Sequence, residues 1–504
     1  MKFRFPGIPE RRYAMIWILS GYALVVLAAG LISFKRNRTS SAYIIADRKV
    51  DHISSFMSSG IVFIAGIAVL TIPSLMTEKN GLLRGGAAVA GMCGAVLLQW
   101  IFVSRRTRIY TEVASDSRTF PSYMENRFHD KTGTLRAFTA AVTMVFFLLL
   151  SSAMLSLAAR IISESLGLNY VACLFSAALL CGLYLFLGGF PSDVRADTVR
   201  FVYVVIVSAV IAILSVYSAV TKGEVFKYEL TAAGIGLEAP EVFGITDLMP
   251  AVTMAAAVFF MPYIPMRSAC LRLRRNPKRF GLEFLLLIIP VLLVCLSVGA
   301  WANQRGIRSD IPETLFVSVA NNAFYDVQRQ IAVFLYICTA LAVTDAALLI
   351  ASSAFSEDIY PKLFSKGATE RERFSVSRMS VMLFTGLALA FAVNFESSLI
   401  IRPGFVWTVI AASFGPVSVF SLYMKKATWI SAFVSIVSGF AAAVFFSCIL
   451  GSGLPSGSFA ELIPSVAVST AAFFITYAVS PKKPSPEVLD EFGRVRKLMK
   501  MKDD

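Results

Sequence analysis

The chain alternates between long apolar runs and short polar connections. Each run is about 20 residues long, the length that a helix needs to cross a bilayer core about 30 Å thick. The pattern therefore predicts an all-α polytopic membrane protein with about thirteen transmembrane helices. The predicted spans are 14–34, 53–76, 85–103, 137–162, 169–188, 199–220, 248–266, 281–302, 330–355, 378–395, 403–424, 429–450 and 462–480.

Composition supports this prediction and changes how the charge is interpreted. Hydrophobic residues make up 57% of the 504 residues and charged residues 16%, with a mean hydropathy of +0.70. A soluble chain carries about a quarter charged residues. The 47 basic and 32 acidic residues give a net charge of +15, which in a soluble protein would suggest nucleic acid. Here the basic residues cluster between apolar runs, so we expect membrane lipid as their partner and no nucleic acid.

The basic clusters also predict how the chain crosses the membrane. Cytoplasmic loops carry an excess of Lys and Arg, and the clusters follow odd-numbered spans. The connections 222–247 and 303–329, after even-numbered spans, are neutral or acidic. We therefore predict an outside N-terminus and a cytoplasmic C-terminus, although three Arg residues near the N-terminus oppose it. The clusters lie within 35–52, 104–136, 267–279, 362–378, 425–426 and 482–502.

Two predicted spans contain prolines that should interrupt the helix: Pro73 in the second, and Pro262 with Pro265 in the seventh. Broken helices at membrane depth are tolerated where protein or a water-filled cavity satisfies the freed backbone groups. Because the two spans are five apart, we predict two five-helix repeats of opposite orientation, with simple proline kinks as the alternative. The predicted division is a peripheral helix in 1–34, repeats in 52–221 and 246–424, two peripheral helices in 429–480, and a basic cytoplasmic tail in 481–504.

Residues for other kinds of chemistry are sparse. His52 and His129 are far apart, and the seven Cys are scattered singly, so we expect no metal site apart from a coupling ion, and no cofactor. A membrane enzyme would need His, Glu or Asp residues that converge within the spans. A channel would need a pore lined by repeated polar residues. The spans offer only isolated ones, so neither class is favoured.

The connection after the third span carries a recognisable motif. RRTRIYTEVASDSRTFPSYMENRF, residues 105–128, resembles the Arg-x-Arg-x-x-Thr-Glu, Thr-x-Pro-x-Tyr and Arg-Phe pattern of the sodium/solute symporter family, in particular of sodium/proline symporters. Further similar segments follow in family order: YIIADRKV (43–50), AARIISESLG (158–167), GGFPSDVRADTVR (188–200), SSAFSEDIY (352–360) and FGPV (414–417).

The resemblance implies a fold and an activity. The fold is thirteen helices in a bacterial inner membrane, with spans two to eleven forming an inverted-repeat core of the leucine-transporter type. The activity is secondary transport, in which a sodium ion moving down its gradient drives a small organic solute inward. The chain is not expected to be an enzyme.

The resemblance also places the family's sodium site, and the residues there differ in this chain. Sodium needs oxygen ligands, which the family takes from unwound carbonyls in the second span, here Ile61 and Ile64, and from hydroxyls in the ninth. The family's side-chain ligands are replaced by residues without an oxygen for a cation: Phe63, Ala65, Ala342 and Val343. Thr344 and Asp345 follow directly and are the candidate replacements.

Asp345 should lie in the middle of the ninth span, where an unpaired carboxylate costs roughly 3 kcal/mol. It should therefore face the cavity, carry a proton or have a cationic partner. Arg200, in the family's Gln position, is the partner that we predict. Asp197 is the retained acid of the same motif.

Three interpretations remain open. In the first, Na⁺ still drives transport, through Thr344 and Asp345. In the second, coupling is to H⁺ or absent, and the guanidinium of Arg200 occupies the sodium position while Asp345 titrates. In the third, the fold no longer transports and serves as a sensor or accessory subunit.

The remaining candidates concern the solute and a gate. The resemblance to proline symporters favours an amino acid or a small carboxylate as solute. We predict that Arg48 and Glu112 pair as a cytoplasmic gate, with solvated loop charges as the alternative. The candidate cavity residues are Ser58, Ser59, Phe63, Phe259, Phe260, Tyr263 and Trp407.

Overall fold

The computed structural model consists of helices joined by short connections. It describes residues 8–35, 37, 39–78, 80–221, 244–272, 280–309, 314–365, 367, 369–394, 403–450, 459–479 and 484–501. Within these residues the isolated β-bridge joins Val50 to Leu271. Most of the predicted 222–247 connection, the basic residues 273–279 and the start and end of the predicted basic tail lie outside the described residues.

Twenty α-helices follow one another along the described chain. The first ten are α1 (Ile8–Phe34), α2 (Ser40–Ile45), α3 (His52–Ser59), α4 (Gly66–Met76), α5 (Gly81–Gln99), α6 (Arg105–Val113), α7 (Phe120–Phe128), α8 (Thr134–Leu166), α9 (Tyr170–Thr221) and α10 (Ile245–Phe259). The others are α11 (Tyr263–Ser268), α12 (Phe280–Gln304), α13 (Leu315–Ala323), α14 (Asp326–Ser353), α15 (Tyr360–Leu363), α16 (Glu370–Asn394), α17 (Pro403–Tyr423), α18 (Trp429–Leu450), α19 (Leu462–Val479) and α20 (Pro486–Met501).

Twelve helical segments among the described residues are long and apolar enough to cross a membrane. One of them, Tyr170–Ile211, has 42 residues. At the helical rise per residue it is about 63 Å long, roughly twice the bilayer core. It is also interrupted at Gly189, where φ is 54° and ψ is −146°. Counted as two crossings, this segment brings the total to the thirteen spans predicted from the sequence.

Gly189→Ala is expected to lower the thermal unfolding midpoint of the detergent-solubilised protein. Residues with a Cβ rarely adopt this backbone conformation, and the strain costs about 1–3 kcal/mol. A Cβ at Gly189 would also lie 2.6 Å from the carbonyl oxygen of Tyr43. Gly386→Ala is the matched control, because a Cβ there would meet nothing within 4 Å. Equal midpoints for the two variants would contradict the prediction.

The second span is surrounded by other helices along its length. The apolar stretch of this span is buried throughout. Its two helices, α3 and α4, pack against α9 and α12, and α14 also contacts α4. The first span runs along α9, and the last two, α18 and α19, pack mainly on each other. Most of the surface of those three spans faces outward. The interior of the bundle is therefore built around the second span.

Pro73 does not interrupt the second span, contrary to the prediction. The helix continues through it to Met76, and hydroxyl groups bond to carbonyls nearby: Thr71 to Ile67 and Ser74 to Thr71, both at 2.8 Å. The carbonyl that Pro73 leaves without its helical donor is that of Val69, four residues earlier, so these two bonds do not satisfy it. The irregularity lies upstream instead, where residues 60–65 form a π-helical turn between α3 and α4.

The seventh span is broken where the sequence predicts. α10 ends at Phe259, residues 260–262 are non-helical, and α11 begins at Tyr263. The break lies against α17, since a Cβ on Gly415 would lie 2.5 Å from the carbonyl oxygen of Phe260. A glycine is therefore needed at this position for the two backbones to approach.

The sequence analysis expected the basic tail to contact membrane lipid without a protein partner. In the structure the tail also packs against protein. It forms α20, which packs against α6 and buries Val488, Phe492 and Val495. The Phe492 ring receives the guanidinium of Arg127 at 4.8 Å. The apolar face of this helix is thus held by protein, while Arg494, Arg496 and Lys497 are exposed.

Candidate functional site

Five charged side chains meet where the second half of α9 passes α3, α11 and α14. Asp193, Asp197 and Arg200 follow the break at Gly189 at intervals of four and three, which places them on one face of α9. Arg267 comes from α11, just after the break in the seventh span, and Asp345 from the middle of α14. All five are buried. We call these five residues the charge cluster.

Arg200 links two of the acids. Its Nη1 donates to Asp197 Oδ1 at 3.0 Å and its Nη2 donates to Asp345 Oδ2 at 2.5 Å. Its Nε donates to the hydroxyl of Tyr22 on α1 at 2.8 Å. The contact between Arg200 and Asp345 that the sequence analysis predicted is therefore present, and a buried guanidinium lies beside the ninth span.

Arg267 links Asp197 to the third acid, Asp193. Its Nη1 donates to Asp197 Oδ2 at 3.0 Å and its Nη2 donates to Asp193 Oδ2 at 2.7 Å. The hydroxyl of Ser58 on α3 donates to the same Asp197 oxygen at 2.7 Å and also contacts Arg267 Nη1. Asp197 thus receives three donors from three helices.

The charges of the cluster do not balance. Three carboxylates face two guanidinium groups, which leaves one negative charge in excess when all are ionised. Two buried oxygens in the cluster, Asp193 Oδ1 and Asp345 Oδ1, have no hydrogen-bond partner. An uncompensated charge at this depth is costly, so the cluster is suited to take up one positive charge.

The candidate sodium ligands do not form an open set of oxygens. The carbonyl of Ile61 accepts from the amide of Gly66, and the hydroxyl of Thr344 donates to the Ala340 carbonyl at 2.9 Å. Asp197 and Asp345 are held by arginine. The second and ninth spans also touch directly here, since a Cβ on Gly66 would lie 2.8 Å from Val343 Cγ2.

These contacts bear on the residues proposed to replace the family's ligands. Ile64, like Ile61, lies in the π-helical turn. A cation between the two spans would have to separate Gly66 from Val343, and Asp345 would offer it Oδ1, since Oδ2 is bonded to Arg200. The assignment of Thr344 and Asp345 as sodium ligands remains a prediction.

A vestibule of about 720 Å³, counting the part open to solvent, extends from one end of the bundle to Arg267. Arg118 and Arg267 are the charged residues among its described lining, and Arg118 lies 3.6 Å from Glu357. Apolar and hydroxyl side chains form the rest. They include Tyr43, Thr119, Phe120, Thr143, Phe190, Tyr263, Ser352, Ser353, Ser356 and Ser377.

Of the predicted cavity residues, Tyr263 lines the vestibule, where its hydroxyl bonds to that of Thr143 at 2.8 Å. Ser58 bonds instead to Asp197 of the charge cluster. The others pack within the bundle. The Phe63 ring lies edge-on to Trp407 at 6.0 Å and Phe259 edge-on to Phe260 at 5.2 Å, while Ser59 faces a small gap beside Gln99.

The predicted gate pair of Arg48 and Glu112 is not formed. Arg48 Nε donates to Asp116 at 2.8 Å, and its Nη1 donates to the Ala269 carbonyl at 2.8 Å. Glu112 accepts instead from Arg108, one turn before it on α6. Arg48 still joins the loop at 116–117 to the end of α11, with a different acid as its partner.

The sequence analysis did not identify Asp193 or Arg267 as site residues. Arg267 was counted as the first residue of a basic loop, and Asp193 was only part of a motif. The spacing of Asp193, Asp197 and Arg200 along one helical face was a usable signal. Arg267 bonds to Asp193 and Asp197 of α9 from α11, the short helix that begins directly after the break at 260–262.

Comparisons with known proteins agree on family and fold. A sequence model described as the sodium:solute symporter family matches residues 43–439. The high-affinity proline transporter of Bacillus subtilis (strain 168) is 26% identical over 484 residues, covering 94% of this chain and 100% of that protein. The sodium/proline symporter of Escherichia coli (strain K12) is 25% identical over 429 residues, covering 83% and 84%.

Solved structures show the same architecture. A Na⁺-coupled sialic acid symporter in a substrate-bound outward-open state superposes with a TM-score of 0.71 at 14% identity, over 94% of this chain and 99% of that chain. A nucleobase-cation-symport-1 family transporter superposes with a TM-score of 0.53 at 11% identity, over 91% and 99%. The predicted all-α fold of the leucine-transporter type is confirmed.

Proposed function

The chain belongs to the sodium:solute symporter family and is a multi-pass membrane transporter of solutes, and we propose that it imports a small carboxylate-bearing solute, an amino acid in the first place, by alternating access. The relatives named above carry proline. Uptake is driven by a cation. Na⁺ is the cation that the family's name implies, and the excess negative charge of the charge cluster accommodates one monovalent ion.

The vestibule is the observation that carries this proposal. A guanidinium, that of Arg267, stands at its inner end. Arginine binds carboxylates with two parallel hydrogen bonds. No Asp or Glu is among the described residues that line the vestibule, so nothing along this lining repels an anionic group.

The vestibule is assigned to the cytoplasmic side. Part of its outer lining comes from the connections that the charge pattern assigns to the inside: residues 43–45, 118–121 and 377. Arg267 lies at the inner end on the short helix α11, which follows the break in the seventh span. Movement of α11 against α9 would open and close the path between Arg267 and the charge cluster.

A second candidate for the coupling ion is H⁺. It is favoured by the guanidinium of Arg200, which lies against the ninth span where the resemblance places the sodium ion. Under this alternative the cluster takes up a proton and the excess charge is neutralised without a metal ion.

The purified protein in proteoliposomes is expected to accumulate a labelled amino acid or small carboxylate, with proline tested first. An inward Na⁺ gradient and an inward H⁺ gradient are imposed separately, and each is then collapsed with an ionophore. Accumulation should disappear with the gradient that drives it. Protein-free liposomes are the control. Correctly folded protein that accumulates no member of the panel under either gradient would favour the sensor interpretation.

A further inference from the structure

Asp193 and Asp345 each have one arginine donor in the charge cluster, and Asp193 is the one whose donor, Arg267, also lines the vestibule. Asp197 receives hydrogen bonds from Arg200, Arg267 and Ser58. Asp345 accepts a 2.5 Å bond from Arg200. Asp193 has a single donor, Nη2 of Arg267, and that guanidinium is shared with Asp197. Its Oδ1 is buried with no hydrogen-bond partner.

The surroundings of Asp193 explain why one carboxylate must give way. The charged groups that act on it are Asp197, Arg267, Asp345 and Arg200, from α9, α11 and α14. The titratable Tyr184 and Cys181 lie nearby on α9 and bring no positive charge. Two cations therefore serve three acids, and an acid with a single donor gains more from a proton than Asp197, which has three. Of the two acids with a single donor, Asp193 is the one bonded to the arginine that lines the vestibule.

Arg267 connects this acid to the solute path. The same side chain lines the vestibule and bonds to Asp193, so water in the vestibule can exchange protons with the acid when Arg267 moves. A solute carboxylate that reaches the inner end of the vestibule competes with Asp193 for the same guanidinium nitrogen.

We propose that Asp193 takes up one proton in each transport cycle and thereby releases Arg267 to bind the carboxylate of the solute. The step balances: Asp193 changes from carboxylate to carboxylic acid, its ion pair with Arg267 breaks, and the solute carboxylate forms the new ion pair. One proton enters with each solute molecule. This inference rests on the proposed function and holds whether or not a sodium ion also moves.

The binding consequence is tested first. In the wild type, lowering the pH should tighten solute binding, because protonation of Asp193 frees Arg267. Asp193→Asn imitates the protonated acid, so its affinity should be high and independent of pH. Asp193→Glu keeps a titratable group and should retain the pH dependence. Asp247→Asn, a buried acid bonded to Arg84 elsewhere in the bundle, is the matched control and should behave as the wild type.

Transport separates the inference from the proposed function. In proteoliposomes, Asp193→Asn should lose accumulation driven by an inward H⁺ gradient, yet still exchange labelled for unlabelled solute. Exchange shows that the variant is folded and carries solute. H⁺-driven accumulation in Asp193→Asn that equals the wild type would overturn the inference and leave the proposed function standing. Absence of uptake and exchange in the wild type would instead contradict the proposed function.

A spectroscopic measurement needs no known solute. The infrared spectrum of the wild type, followed as the pH is lowered, should gain the carbonyl band of one buried carboxylic acid. That band should be missing in Asp193→Asn and be replaced by a glutamic acid band in Asp193→Glu. An unchanged aspartic acid band in both variants would show that another residue binds the proton.

Discussion

Arg200→Gln is expected to lower the free energy of unfolding by about 3–5 kcal/mol, the cost of removing one partner of a buried ion pair. The substitution removes the hydrogen bonds that Arg200 donates to Asp197 and Asp345. Glutamine is also the residue that the family resemblance places at this position. Three carboxylates would then be left with the single guanidinium of Arg267. The measurement is thermal unfolding of the purified protein in detergent.

Two further variants show whether the loss comes from the buried charge. Arg494→Gln removes an exposed arginine whose partner, Asp490, is also exposed, and it should change stability by less than about 0.5 kcal/mol. The double variant Arg200→Gln with Asp345→Asn removes both partners and should recover much of the loss. A single Arg200→Gln variant as stable as the wild type would mean that Arg200 does not hold the cluster together.

Asp345→Asn is expected to abolish cation-dependent uptake while leaving the amount of protein in the membrane unchanged. Asparagine has the same shape and can still accept the hydrogen bond from Arg200, so the helix packing is kept. The charges change, however, because two acids now balance two arginines and the cluster no longer requires a cation. Uptake under Na⁺ and H⁺ gradients should fall to the level of protein-free liposomes.

Membrane expression is the internal control for this second variant, since a misfolded protein would be lost from the membrane. Undiminished uptake with an unchanged response to Na⁺ and H⁺ would remove Asp345 from the mechanism. A loss of protein together with uptake would show that Arg200 requires the full negative charge of Asp345 for folding.

Span number and fold class could be predicted because they follow from length and hydrophobicity alone. An apolar run of about 20 residues has few other stable structures in a membrane. The exceptional case is Tyr170–Ile211, where the break between two spans depends on a single residue, Gly189. The predicted orientation of the termini and the boundaries of the two repeats remain predictions.

The positions of backbone breaks were harder to predict. Pro262 lies in a break and Pro73 does not, although both are prolines in apolar spans. The difference lies in tertiary packing: the helix around Pro73 is enclosed by other helices, whereas Phe260 lies against Gly415 of α17. A sequence shows the proline and does not show what satisfies the freed groups.

Pairings between distant residues were predicted in part. Asp345 needed a buried cation, and Arg200 was available in a span that the resemblance placed nearby. Arg48 and Glu112 each have several possible partners. Glu112 pairs with Arg108, one turn before it on α6, and Asp116, in the loop after α6, pairs with Arg48. Arg267 was not recognised as a site residue because the direction of its side chain depends on the orientation of α11 after the break at 260–262.

The enclosure of the second span has a consequence for biosynthesis. This segment is apolar enough to enter the bilayer as soon as it leaves the ribosome. Two of the helices that surround it, Phe280–Gln304 and Asp326–Ser353, are translated more than 200 residues later. The nascent second span must first be solvated by acyl chains or by the insertion machinery, and it exchanges that solvent for protein only when the later helices arrive. A chain truncated before residue 280 would therefore insert normally and still expose this segment to lipid.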